Sequence, residues 1–446
     1  MSDFYRPLLH KLDIDLLKEA LILKKGAHYF DWNATSLGLS FIEARMIEAL
    51  KTYANTHSKS SRHSNITTAL FNEAREIIKI NLKLSPDFEI IQTPSATAAI
   101  KLFHEILGIY ISPNALKYIK INDDLPLVIY DAKAHHSSSL NLSLNTCLCQ
   151  SFEIPLLSDL SFDLEALKQH LAQNRGQKVI LILNFASNVT GEIAPYKEII
   201  ALIREAKGIV ALDIASGLEH FCALESIDCD AIFIAGHKML GGAGASSALC
   251  IKKELLEESA PVFIGGGNIS FDEVIAPTSD LSRAYEAGTP LILPMLKTAL
   301  CFRMQSEIGL ALISSRKKML YNYLLKRLKE LGDLIAIYAP KMQNGQNELN
   351  NSVISFNIAG ISPFKIAHFL SQYYGVQTRA GFSCAIKYGQ ALIKIHDGNF
   401  FDRGFLRVSL SYVQDIDEIA HFMDCLYLVI KLLKPSVKIS KKATDG

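Results

Sequence analysis

The sequence lacks the marks of a fibrous, secreted or membrane-spanning chain. Its eight cysteines (147, 149, 222, 229, 250, 301, 384 and 425) are scattered over 446 residues with no CxxC pair. That spacing excludes the dense disulfide framework of small secreted domains and points to a reducing compartment, the cytoplasm. With 25 glycines and 14 prolines, collagen-like and low-complexity chains are excluded. Charge of one sign is also lacking: 46 Lys and Arg against 45 Asp and Glu leave a net +1, no field to hold nucleic acid. The most apolar late stretch, from 419 to 433, is interrupted by His421, Asp424 and Lys431 and falls short of the ~20 residues a membrane span needs. The first 25 residues carry Asp3, Asp13, Asp15 and Glu19 among their leucines and have no signal-peptide pattern.

Several chemistries are missing as well. No GxGxxG follows a strand pattern, GGAGAS has the glycines at the wrong spacing, and there is no GxSxG elbow. The adjacent His135 and His136 and the CxC of Cys147 and Cys149 do not make a zinc set. No internal repeat is present. A small molecule or a protein remains as the partner.

What is there is an α/β pattern. The runs EIIQT (89 to 93), LVIYD (127 to 131), VILILNF (179 to 185), IVALDIA (209 to 215), AIFIA (231 to 235) and SALCI (247 to 251) alternate with helical patterns. Near-continuous apolar strands separated by helices predict a buried, mostly parallel sheet covered on both faces. Beyond Ser279 long helices take over, with 292 to 331 nearly all helical. Strands at 334 to 338, 352 to 358 and 405 to 410 then alternate with helices at 363 to 373 and 415 to 434, which predicts a smaller α+β domain. The expected division is a large domain over 28–300, a small domain from 1–27 and 301–434, and a flexible tail over 435–446. A helix over about 8 to 25 is expected to pack with the small domain.

Lys238, in AIFIAGHKMLGGAGAS, follows a strand by three residues. Ligands of open α/β sheets bind beyond the carboxyl ends of strands, and a lysine there can act as an amine nucleophile toward an aldehyde. A solvated loop lysine is the plain alternative. Asp213 ends the run IVALD, where burial calls for a cationic partner, and a pyridinium nitrogen would be one. Pyridoxal phosphate needs such a carboxylate, a Schiff-base lysine and phosphate donors. Ser95, Ala96 and Thr97 open a helix after a strand, where free N–H groups and the helix dipole favour phosphate. Ser95 alone also reads as an ordinary N-cap. Cys384 has Arg379 and Lys387 near it in sequence, cations that favour a thiolate, while the other seven cysteines read as apolar fillers. Arg407 lies on an apolar late strand, and its planar fork suits a carboxylate.

Nine blocks in order, YFDWNATS (29 to 36), TPSATAAI (93 to 100), AHHSS (134 to 138), SNVTGEIAP (187 to 195), VALDIAS (210 to 216), AGHKMLGGAG (235 to 244), YEAGTP (285 to 290), RAGFSCA (379 to 385) and LRVSLSYV (406 to 413), give the chain its likeness. Together they resemble class V, fold-type I pyridoxal-phosphate enzymes, and among them cysteine desulfurases and selenocysteine lyases. The resemblance implies a mostly parallel seven-stranded sheet with a smaller α+β domain. It makes Lys238 the cofactor-bearing lysine, Asp213 the partner of the ring nitrogen, His135 the ring-stacking imidazole and Asn188 the amide near the ring hydroxyl. Thr97 and His237 become phosphate ligands with Ser95 and Ala96, Arg407 and Asn33 substrate-binding groups, and Cys384 the thiol that takes sulfur as a persulfide. Gly265, Gly266, Gly267 and Thr289 match a segment that reaches the neighbouring subunit's cofactor, which implies a homodimer.

Departures from the family pattern are also legible. Ser216 stands where a glutamine is usual, Ala235 replaces a serine of the phosphate cup, and Leu291 stands where an asparagine is common. Phe382 and Ser383 replace histidines before the cysteine, and Arg62 stands late in THSKSSRHS. The expected function is pyridoxal-phosphate-dependent removal of sulfur or selenium from a small amino acid, with a sulfur-acceptor protein as partner. A class V aminotransferase or another lyase, for which Cys384 is incidental, is the second expectation, and an idle cofactor-binding scaffold the third.

Overall fold

The computed structural model describes residues 2–9, 13–56, 58, 60–121, 124–143, 148–261, 263–271, 275–338, 352–395 and 403–435. Cys147 and all but the first residue of the expected tail lie outside these. The chain divides into a large unit (Met1–Ile22, Thr35–Ala186, Ile193–Ala311) and a small unit (Leu23–Ala34, Ser187–Glu192, Leu312–Gly446).

Seven strands build the large unit: β1 (Phe88–Thr93), β2 (Leu127–Asp131), β3 (Gln150–Ile154), β4 (Val179–Asn184), β5 (Ile209–Asp213), β6 (Ala231–Ala235) and β7 (Ser247–Lys252). Their order across the sheet is β1-β7-β6-β5-β4-β2-β3. Strands β6, β5, β4, β2 and β3 run parallel, and β7 alone is antiparallel to both its neighbours. β1 therefore runs in the same direction as β6. Strands β2, β4 and β6 are buried along their whole length, as continuous apolar runs require between two helical layers. Helices α1 (Ala96–Ile106), α2 (His136–Ser143), α3 (Leu164–Gln173), α4 (Tyr196–Glu205) and α5 (Leu218–Ala223) each follow one of the first five strands. The sheet and α1 share a core that includes Ile100, Phe103, Val128, Ile182, Phe233 and Leu249. The expected helix over 292 to 331 is two: α6 (Ile292–Ile308) and α7 (Leu310–Lys329), parted by Gly309 at φ 86°.

The N-terminus departs from expectation. Its helix is confined to Ile14–Glu19 among the described residues, and Met1–Ile22 belongs to the large unit. The reason is hydrogen bonding: Tyr5 Oη donates to the Leu70 carbonyl, and the Leu8 and Leu9 N–H groups both donate to Glu307.

The small unit is an antiparallel sheet ordered β8-β9-β11-β10, from β8 (Ile335–Tyr338), β9 (Val353–Ile358), β10 (Arg379–Gly381) and β11 (Phe405–Ser409). Helices α8 (Pro363–Tyr374) and α10 (Ile416–Leu433) cover it, and Phe356, Leu406, Ile366, Leu370, Phe422 and Leu426 form its core. A capping box of Asp415 and Glu418 starts α10. Two short pieces were not foreseen in the sequence, β10 and helix α9 (Ile386–Lys394). They flank Cys384.

Candidate active site

One edge of the large sheet gathers most of the predicted residues. Six strands that run the same way, β1 to β6, release their carboxyl ends there, and the loops after four of them, β1, β2, β5 and β6, carry the candidate groups. This is the edge where open α/β sheets bind ligands.

After β1, Ser95 takes extended backbone and caps α1, its Oγ accepting the Ala98 N–H at 3.1 Å. Its carbonyl accepts the Ala99 N–H, so the Ala96 and Thr97 N–H groups are those a phosphate would take. The side chain of Ser95 is thus the N-cap, and Thr97 is solvent-exposed.

After β2, His135 is half-buried. Its Nδ1 accepts the Ser137 N–H at 3.2 Å and lies 2.8 Å from Ser137 Oγ, which fixes the ring and places the proton of the neutral imidazole on Nε2. Ser138, fully buried one turn further on, donates from Oγ to Asp213 Oδ2 at 3.0 Å. No motif signals this contact, because its partner lies 75 residues away.

At the end of β5, Asp213 is 4% exposed, and its Oδ1 accepts the Ala215 N–H at 3.0 Å. Both partners are neutral, and a carboxylate has about four lone-pair sites. A buried carboxylate with lone pairs to spare is a place where a cationic ring nitrogen would fit. Ser216, the residue after that N–H, is buried. Beneath the edge, Asp131 at the end of β2 accepts the Lys133 and Asn184 N–H groups at 3.0 and 2.9 Å. Burial pushes its carboxyl up to about 7 against the pull of those N–H groups, and Asp213 adds to the rise.

After β6 a 3₁₀ turn, Gly236–Lys238, carries His237 and Lys238, both half-buried. Only glycine fits its first position, since a Cβ on Gly236 would lie 2.2 Å from the Ser246 carbonyl. The turn is tied to the end of the YFDWNATS block: the His237 carbonyl accepts the Ser36 N–H at 2.8 Å, and its Nδ1 lies 3.1 Å from Thr35 Oγ1. Burial, and then the Lys238 charge, hold the His237 imidazole below its ordinary range, hence neutral at pH 7.

The donor set fits pyridoxal phosphate: helix-start N–H groups for its phosphate, a buried carboxylate for its ring nitrogen, a lysine for its aldehyde. Thr289 stands apart on the surface, accepting from Asn55 Nδ2 at 3.0 Å.

The small unit brings together Asn33, Asn188, Cys384 and Arg407. Arg407, on β11, is 2% exposed. Its Nη2 meets Asp31 Oδ1 at 2.7 Å and its Nη1 donates to the Asn188 carbonyl at 2.9 Å, while Nε is buried without a partner. Burial lowers its pKa and Asp31 opposes that fall, so the guanidinium already holds one carboxylate. Asn33 donates from Nδ2 to the same carbonyl at 3.4 Å.

Cys384 is half-buried, at the second of two consecutive positions with positive φ (Ser383 49°, Cys384 62°). The Ala385 N–H donates to the Phe382 carbonyl at 3.0 Å, closing the turn around them. Two positive φ values mark the mirror-image turn that glycine and asparagine favour, and each costs a residue with a side chain roughly 1–2 kcal/mol. Burial pushes the thiols of Cys222, Cys229 and Cys301 up to about 12 and raises those of Cys250 and Cys425. Those five are packing groups.

The large unit is the fold-type I architecture: a seven-stranded, mostly parallel sheet with a lysine turn and a buried carboxylate at its carboxyl edge. The profile of the Aminotransferase class-V family matches residues 28–422. A probable cysteine desulfurase of Synechocystis is 27% identical over 385 residues, covering 85% of this chain and 84% of the relative. Another from Halalkalibacterium halodurans is 28% identical over 351 residues, covering 76% and 80%. Among solved structures, the apo cysteine desulfurase of Thermococcus onnurineus aligns with a TM-score of 0.78 at 22% identity over 95% of this chain and 99% of its own. An Escherichia coli cysteine desulfurase in an S-sulfonic acid form gives 0.73 at 19% identity, covering 95% and 100%. The chain belongs to the class V aminotransferase family, whose members are pyridoxal-phosphate-dependent enzymes.

Proposed function

We propose that the chain binds pyridoxal phosphate and works as a cysteine desulfurase, removing sulfur from L-cysteine and leaving L-alanine. The observation that carries the reading is the company Cys384 keeps in the small unit: a half-buried thiol in a left-handed turn, in the same unit as the buried guanidinium of Arg407. The desulfurase names of its relatives support it.

Lys238 would hold the cofactor's aldehyde carbon, Asp213 its ring nitrogen, the Ala96 and Thr97 N–H groups with His237 its phosphate, and His135 the ring face. When bound, the cofactor withdraws electrons from the substrate carbons. Arg407 and Asn33 orient the substrate, with the substrate carboxylate taking the guanidinium that Asp31 now engages. Cys384 as thiolate forms a bond to the substrate sulfur and the carbon–sulfur bond breaks. Cysteine plus enzyme thiol become alanine plus enzyme persulfide, so the step balances without an external oxidant or reductant. The persulfide passes to a sulfur-acceptor protein. The same chemistry would serve selenocysteine. The enzyme is proposed to be a cytoplasmic homodimer, with Gly265 to Gly267 and Thr289 facing the second subunit; among the described residues no helix is long and apolar enough to cross a membrane.

The test is incubation of the purified protein with L-cysteine and a dithiol, which is oxidised to its disulfide as it releases the persulfide's outer sulfur as sulfide, measuring sulfide and alanine. Wild type is expected to form both and Cys384→Ala neither. Full sulfide release by Cys384→Ala overturns the reading; amino-group exchange with a keto acid, and none with cysteine, would make the chain an aminotransferase.

A further inference from the structure

Cys384 owes its position to a contact from outside its own turn. The Ser383 carbonyl accepts a hydrogen bond from Asn188 Nδ2 at 2.5 Å, across 195 residues of sequence. Asn188 is itself held in place. Its carbonyl receives Arg407 Nη1 and Asn33 Nδ2, and its loop is closed by Ser187, whose Oγ accepts the Val189 and Thr190 N–H groups at 3.2 Å each. Ser355 of β9 anchors that loop to the small sheet by donating to the Val189 carbonyl at 2.6 Å. Asn188 is 6% exposed, so the hydrogen bond is made away from competing water. A turn with two disfavoured residues persists only where its surroundings over-determine it. The bond from Asn188 reaches that turn from across the chain.

We propose that Asn188 is the positioning residue of the Cys384 turn: its main-chain carbonyl is held by the Arg407 guanidinium, itself paired with Asp31, and its side-chain amide holds the Ser383 carbonyl. The group that grips the substrate carboxylate and the group that accepts its sulfur then share one support. This goes beyond the ring-hydroxyl role that the family resemblance gives Asn188, and it rests on the desulfurase reading only for the purpose the positioning serves.

The test reads thiol reactivity, which does not require turnover. The full-length, cofactor-loaded protein is treated with iodoacetamide, and alkylation of each cysteine is followed by peptide mass spectrometry. Asn188→Ala and the isosteric Asn188→Asp, which has no N–H to donate, are expected to raise the Cys384 rate about tenfold, the factor given by ~1.4 kcal/mol of lost restraint. Asn188→Gln, which keeps the donor, is expected to stay much closer to wild type. Cys222, Cys229, Cys250 and Cys301 are buried and serve as internal controls, remaining protected in every folded variant. Should Asn188→Ala unfold, those four thiols react too, and Asn188→Asp carries the test. Cys384 rates at the wild-type value in the Ala and Asp variants, or a Gln variant as reactive as Ala, overturn the proposal. A wild type that releases no sulfide from L-cysteine but follows this alkylation pattern would sink the desulfurase reading and leave the positioning role standing.

Discussion

In the large unit the candidate groups stand at the ends of strands that a seven-stranded sheet holds in register, whereas in the small unit Cys384 stands in a turn that its own side chains disfavour. The first arrangement is rigid by default: Asp213 leaves β5 at a position fixed by pairing with both β4 and β6, and Lys238 follows β6 by three residues. The second is closed by the Ala385 N–H on the Phe382 carbonyl and is reached from across the chain by Asn188, whose Nδ2 donates to the Ser383 carbonyl. Groups at strand ends are thus placed by the sheet itself, while the Cys384 turn is held by a few polar contacts.

The comparison can be broken from the large unit. The largest effect is expected from Lys238→Ala: loss of the visible absorbance of lysine-bound pyridoxal and a fall in sulfide release on the order of 10³-fold, within the range for loss of a group that moves protons. Asp213→Ala comes next. If Asp213 pairs with the ring nitrogen as proposed, the change removes a partner worth about 2–5 kcal/mol, and it is expected to weaken pyridoxal phosphate binding to the apoprotein accordingly in a fluorescence titration. Ser138→Ala removes one hydrogen bond to that carboxylate, about 1.5–3 kcal/mol in such contacts, and is expected to weaken the same titration about tenfold or more. If it does not, the Ser138 contact is packing alone.

The smallest effect is a slope. The Asp131 carboxyl is raised in the folded state above its unfolded value of 3.8, to about 7. Its contribution to stability is therefore present below about pH 4 and lost as pH rises toward 7. Asp131→Asn should flatten the fall of the thermal midpoint between about pH 4 and 7, by ~2–4 °C for each kcal/mol removed, as scanning calorimetry would read. An unchanged slope would mean that another group sets it.

The same contrast explains what the sequence made legible. LVIYD, VILILN and AIFIA announce buried parallel strands because every residue but the closing Asp131 and Asn184 is apolar, and the expected strands at 89 to 93 and 247 to 251 also lie in the sheet, as does 209 to 213 of the one expected over 209 to 215. QSFEI, at the sheet's edge, carries exposed Gln150 and Ser151 and has no such run, so β3 was not foreseen. Three-residue β10 is too short for any periodicity. Of the polar groups, Lys238 and Asp213 could be picked out because a charge at the end of an apolar strand is anomalous by itself. Ser138, Asp31 and the Asn188 bond to Ser383 could not, because each gains its meaning from a partner brought near by folding. The hydroxyl of Ser95 was ambiguous between cap and phosphate ligand, and its bond to the Ala98 N–H makes it the cap.

The most direct measurement is the mass of the Cys384 peptide after the purified, cofactor-loaded enzyme meets one equivalent of L-cysteine in the absence of reductant. A gain of one sulfur atom on Cys384, matched by an equal amount of alanine, is the predicted result. Alanine formed while Cys384 keeps its original mass, or a sulfur adduct carried by another cysteine instead, would contradict it.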